Sequence, residues 1–81
     1  MELTGASDEQ QRSTTEQLTA ATEDNLKKIE GHPLDPKQQD TLDQVKQFIE
    51  QSKAAVAAGD LDRGRDLAMK AHLLSDELVQ P

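Results

Sequence analysis

The chain is expected to be all-α, folding as a three-helix up-down-up bundle, and three observations point there. First, Leu42, Val45, Ile49, Ser52 and Val56 recur at spacings of 3, 4, 3 and 4, which keeps them on one face of a helix. Second, Gly31-His32-Pro33 and Gly59-Asp60 carry helix stop and start chemistry and cut the chain into three helical lengths. Third, β-branched and aromatic residues are scarce, with one Phe and no Trp or Tyr, so no strand pattern competes. Short connections between three helices favour antiparallel neighbours.

Residues 1–12 are polar and without apolar periodicity, and are expected to form a flexible or partly helical N-terminal segment before a single domain over 13–80. Ser7 followed by Gln10 fits a capping box, so the first helix starts either there or near Ser13. It should run to about Glu30. Its inward face is expected to be Leu18, Ala21, Leu26 and Ile29, with Thr22 and Asn25 on the same side; that stripe is thin. Glu23/Lys27 and Asp24/Lys28 are acid–base pairs in the favourable order. Gly31 can close this helix, and Pro33 prevents its continuation.

Asp35-Pro36-Lys37-Gln38 is a strong helix start. Asp35 can cap, Pro36 suits the first helical position, and Gln38 completes a capping box. The second helix should cover about 36–58, with Phe48 and Ala55 widening its apolar stripe. Gly59 can take the left-handed conformation that ends it, and Asp60 can cap the next. The third helix should cover about 61–79, with Leu61, Gly64, Leu67, Ala68, Ala71, Leu74 and Leu78 inward. A helix-interior Gly costs about 1 kcal/mol relative to Ala. Gly64 therefore predicts a close approach by the second helix, and Ser52, Ala55, Ala68 and Ala71 around it make the hairpin narrow near its turn.

Composition excludes several function classes. A net charge of −7 argues against nonspecific nucleic-acid binding and against anionic membrane surfaces. With one Phe as the whole aromatic content, there is no platform for stacking bases. No apolar run approaches transmembrane length, so direct membrane insertion of this segment is not expected, and the segment as given should be soluble. The chain contains no cysteine, which removes disulfides, thiolate nucleophiles and Cys-based zinc sites together.

Few residues suggest chemistry. His32 sits in a Gly-His-Pro turn, and His72 has Asp76 four residues on, a spacing suited to an ion pair. Neither belongs to a constellation that would hold a metal or run catalysis. Asp60-Leu61-Asp62 lacks the twelve-residue frame of a calcium loop and reads as a helix start facing the positive end of the dipole. The Ser and Thr residues of 13–22 have no nucleophile elbow or base partner. No catalytic, cofactor-binding or metal-ligating residue is assigned, and no cofactor is expected. Arg63 and Arg65 flank Gly64 and with Lys70 form one basic spot, expected to pair with Asp62, Asp66 and neighbours, the alternative being to hold an anion or a partner's acidic residue. Met69 and Leu73 fall off the main stripe of the third helix. They form a second apolar edge that packs either on the first helix or on another chain. Arg63, Arg65, Met69, Lys70 and Leu73 are therefore the candidate interaction surface.

Phe48, Ser52, Ala55, Gly59-Asp60-Leu61, Gly64, Ala68 and Ala71 together resemble a tetratricopeptide-type helical hairpin. Gly64 stands where that family has Ala, Ala68 where it has an aromatic, and there is one copy. The resemblance implies a hairpin formed by the second and third helices. Over about residues 14–79 there is a second likeness, carried by 38–45, 54–61 and 67–78 (Gln38-Gln39-Asp40-Thr41-Leu42, Ala54 to Leu61, and Leu67-Ala68-Met69-Lys70-Ala71-His72 onward). These stretches are similar to the C-terminal helical domain of small uncharacterised bacterial envelope proteins of lipoprotein-like type. That likeness implies a periplasmic or cell-envelope setting and no catalytic residue. The lipoprotein-type start and Pro-rich linker of many such proteins do not occur here.

The expected function is that of a non-enzymatic helical interaction or structural module, engaging a protein partner or itself. The competing expectation is a small-ligand or metal carrier using the bundle interior, or His72 with nearby carboxylates.

Overall fold

The computed structural model describes residues 7–80, and expectations for residues 1–6 lie outside that range. Three helices follow one another: α1 (Asp8–Ile29), α2 (Pro36–Ala57) and α3 (Leu61–Val79). Together they form an all-α three-helix bundle. Helix α3 packs along both of the others, whereas α1 and α2 approach each other only sparsely.

Local chemistry sets each boundary. Of the two possible starts for α1, the structure takes the earlier: the Ser7 hydroxyl accepts from the Gln10 amide at 3.2 Å, and residues 8–12 form the first turn. At its other end Glu30 and Gly31 make a type II turn, with Gly31 at φ +81° and the His32 amide donating to the Ile29 carbonyl at 3.1 Å. Gly31 thus sits just past the helix, and Glu30 is the cap.

The Asp35 capping box is complete. The Gln38 amide donates to the Asp35 carboxylate at 2.8 Å, and the Asp35 amide donates to the Gln38 side-chain oxygen at 3.0 Å. Asp35→Ala removes one acceptor and leaves an orphan donor at the helix start. It should lower stability by about 1 kcal/mol, read as a shift in urea midpoint with unchanged slope.

Helix α2 ends at Ala57, capped by Ala58, in a Schellman turn. Gly59 takes φ +85°, its amide donates to the Val56 carbonyl at 3.0 Å, and the Asp60 amide donates to the Ala55 carbonyl at 2.8 Å. Asp60 then caps α3 by accepting from the Arg63 amide at 3.3 Å.

The hairpin of α2 and α3 holds most of the apolar core. Val45, Ile49 and Ala71 form its buried centre, with Phe48, Leu74 and Leu78 packed around them and Leu26 arriving from α1. Near the turn the helices touch backbone to side chain. A Cβ on Gly64 would lie 2.6 Å from Val56 Cγ2 and 3.3 Å from the Ser52 carbonyl oxygen. The buried Ser52 hydroxyl donates to the Gly64 carbonyl at 2.7 Å. The close approach expected from a glycine inside the helix is therefore present.

On α1, Thr22, Asn25 and Ile29 face inward as expected, and Thr15, not among the expected residues, joins them. Leu18, Ala21 and Leu26 are half-buried. The docking line runs Gln11, Thr15, Leu18, Thr22, Asn25, Ile29, at spacings of 4, 3, 4, 3 and 4. Its period is as regular as that of α2, but four of its six members are polar. The surface it meets is made of small α3 residues: Ala68, Ala71 and Ser75 are all but fully buried. Such a surface lets α1 come close without large side chains of its own.

Candidate interaction surface

The exposed side of α3 follows from how its other sides are used. Leu67, Leu74 and Leu78 turn toward α2, and Ala68, His72 and Ser75 toward α1. What remains outward is Asp62, Arg63, Asp66, Met69, Lys70, Leu73 and Glu77. Met69 is 42% exposed and Leu73 55%, and no other large apolar side chain among the described residues is as open. One helical turn separates them, so they form a single apolar pair bordered by charge. Of the two expectations for this edge, packing on α1 is not what the structure contains.

The basic residues do not gather into one spot. Arg63 and Lys70 line a shallow hollow with Asp60, Asp62, Asp66 and Leu67, so carboxylates surround both cations. Lys70 Nζ also stands 6.0 Å from the centroid of the Phe48 ring, within cation–π range, which ties it to α2. Arg65 lies on the α1 side, half-buried, with its guanidinium 3.6 Å from the Asp66 carboxylate. Candidate residues Met69, Lys70, Leu73 and Arg63 thus share the exposed face, and Arg65 lies at its edge.

Two features escaped the sequence reading. The first is a polar network across the α1–α3 seam. Asn25 Nδ2 donates to Ser75 Oγ at 2.9 Å and to Asp76 Oδ1 at 2.8 Å. Ser75 Oγ donates to the His72 carbonyl at 2.8 Å, and His72 Nδ1 lies 3.7 Å from Asp76. The His72/Asp76 spacing anticipated the last contact; nothing local marked Asn25 as their partner. Among the described residues, no three His, Asp or Glu side chains are grouped so as to hold a metal ion.

The second is the open seam between α1 and α2. Over its upper half, Arg12, Thr15, Glu16 and Thr19 face Ser52, Lys53, Val56 and Ala57 across a groove of about 350 Å³ with mainly apolar walls. Glu23 and Lys53 approach to 4.0 Å below it, both half-exposed. Further down, Leu26, Ile29 and Glu30 face Gln39, Leu42 and Lys46 across a second hollow. A signal existed for this register: Glu16, Glu23 and Glu30 repeat every seven residues, as do Lys46 and Lys53. Complementary rows at heptad spacing mark flanking positions of two facing helices.

No protein-family model, curated protein or solved structure matches the chain. Among the described residues, no helix is long and apolar enough to cross a membrane.

Proposed function

We propose that the chain is a non-catalytic helical interaction module that engages a protein partner or a second copy through the exposed edge of α3. The observation that carries this reading is Met69 and Leu73, open on a helix whose other sides are fully used in packing. Exposing apolar side chains as a contiguous pair on so polar a chain has no packing rationale within the fold. The charges around them, Lys70, Arg63 and Arg65 beside Asp62, Asp66 and Glu77, form a polar rim suited to fixing orientation. A bacterial-envelope setting rests on the likeness of residues 14–79 to small envelope proteins, and the tetratricopeptide-like description of the α2–α3 hairpin on the residues quoted for it.

The test is a double substitution, Met69→Asp with Leu73→Asp. Both positions are exposed, so thermal stability should change little. Self-association seen by light scattering, or capture of an envelope partner, should be lost. Association that survives both substitutions counts against this surface. A second reading, a carrier of small apolar ligands, is favoured by the groove between α1 and α2. It expects the melting temperature to rise on saturation with such ligands, because binding to the folded state alone adds stability.

A further inference from the structure

We propose that α1 exchanges between two copies of the chain, so that the face of α3 formed by Leu61, Ala68, Ala71 and Ser75 receives the α1 of a second copy. The inference deepens the self-association part of the interaction reading, and it uses a different surface from Met69 and Leu73. The occupant is fixed by complementarity already present: α1 fits this face within one chain, and a second copy offers the same helix.

Three observations make α1 the part that leaves. Of its buried polar side chains, only Asn25 is hydrogen-bonded to α3. Thr15 and Thr22 donate their hydroxyl hydrogens to the Gln11 and Leu18 carbonyls of α1 itself, at 2.8 and 2.7 Å. Ser75 keeps its bond to the His72 carbonyl when Asn25 withdraws. The Asp76 side chain is 43% exposed, so water can replace Asn25 there. Removing α1 therefore strands few polar groups, and the usual penalty for opening a buried polar seam is small.

The α3 side chains uncovered are Leu61 and otherwise Ala and Ser, and α1 takes Leu26 and Ile29 with it, whereas the remaining large apolar contacts lie in the α2–α3 hairpin. Finally, α1 is hinged. Six residues, 30–35, join it to α2, and they include Gly31 at φ +81° and Pro33, with Pro36 immediately after. Pro33 and Pro36 stiffen the connection, while Gly31 can adopt either sign of φ. Resetting the one turn at Glu30–Gly31 swings α1 away from its own hairpin. Contact between α1 and α2 is sparse, so α1 is held by α3 alone, and that one seam is the contact a second copy can offer in its place.

The absence of cysteine gives a clean test. Full-length chains carrying Asn25→Cys and Ser75→Cys separately are unfolded together, refolded at high concentration and oxidised. Salt is added, because each chain carries −7 and two copies repel. Exchange places the two thiols against each other across chains. The mixed disulfide dimer should exceed by about tenfold that from an Asp24→Cys/Lys53→Cys mixture, whose positions do not face each other. A second pair, Glu23→Cys with Lys53→Cys and a short dithiol-reactive linker, joins two exposed positions and leaves the core untouched, so it decides the matter if Asn25→Cys fails to fold. Mixed dimer at no more than the control level in both pairs overturns the proposal. So does its loss when Met69→Asp and Leu73→Asp are added, because the dimer would then belong to the exposed edge. Persistence in that background supports exchange even if the edge proves inert.

Discussion

Gly64→Leu should destabilise the chain by about 3 kcal/mol, even though it replaces a poor helix former with a good one. Two effects of opposite sign meet at this position. Replacing Gly inside a helix removes unfolded-state freedom and by itself gains about 1 kcal/mol. Against that, the first added carbon would sit 2.6 Å from Val56 Cγ2 and 3.3 Å from the Ser52 carbonyl oxygen. Val56 is β-branched and held to few side-chain rotamers in a helix, so it cannot swing aside cheaply. The Ser52 carbonyl is backbone and moves only if α2 moves. Such a shift would also lengthen the 2.7 Å bond from the Ser52 hydroxyl to the Gly64 carbonyl, a buried pair with no water to replace it. Overpacking therefore wins. Gly64→Ala should show the same sign at about 1 kcal/mol, the methyl clash outweighing the gain in propensity. Val56→Ala in the Gly64→Ala background should recover part of the loss, and the coupling read from a double-mutant cycle by urea denaturation would be well above additivity error. If Gly64→Ala raised the urea midpoint, the close contact between α2 and α3 would not exist in solution.

The ends of α2 and the start of α3 were legible because they rest on chemistry within a few residues, Asp35-Pro36-Gln38 and Gly59-Asp60, whereas the start of α1 was left open between Ser7 and Ser13 and the structure places it at Asp8. The hairpin was legible as well, since Val45, Ile49, Leu67 and Leu74 repeat at helical period and Gly64 announces a tight crossing. The inward face of α1 was legible at Thr22, Asn25 and Ile29, but Thr15 was missed, and Leu18, Ala21 and Leu26, weighed most by an apolar stripe, are only half-buried. Burial of a polar residue is decided by whether a partner meets it. For Thr15 and Thr22 that partner is their own helix, and for Asn25 it is Ser75 and Asp76, about 50 residues away. Sequence periodicity contains the first kind of partner and not the second. The same reason separates the two candidate surfaces. Met69 and Leu73 fall off the stripe of α3, so their exposure follows from a helical wheel. The groove at Thr15, Thr19, Val56 and Ala57 depends on how far α1 stands from α2, which is set by α3 between them.

Ile49→Ala should cost about 2–4 kcal/mol, enough to leave much of so small a domain unfolded at ambient temperature. Ile49 is 7% exposed and belongs to the buried centre with Val45 and Ala71. Its removal leaves a cavity walled by side chains from both helices of the hairpin, and Leu26 of α1 packs on the same cluster. Helices α2 and α3 cannot close in to fill it, because their separation is already fixed at the other end by Gly64 against Val56 and Ser52. The cost should therefore fall in the upper part of the range for such truncations. Thr22→Val in α1 provides the contrast. Thr22 is 0% exposed, so burial alone would rank it above Ile49. Its hydroxyl, however, bonds to the Leu18 carbonyl, which the helix also supplies with a backbone donor. Exchanging that hydroxyl for a methyl removes no contact between helices, and stability should change by less than about 0.5 kcal/mol. Urea denaturation of the two variants compares a core truncation with the loss of a hydroxyl bond made within one helix. A loss at Thr22→Val as large as that at Ile49→Ala would mean that the Thr22 hydroxyl has a partner beyond the Leu18 carbonyl of its own helix, and so a polar tie across the seam that exchange of α1 between copies would have to break.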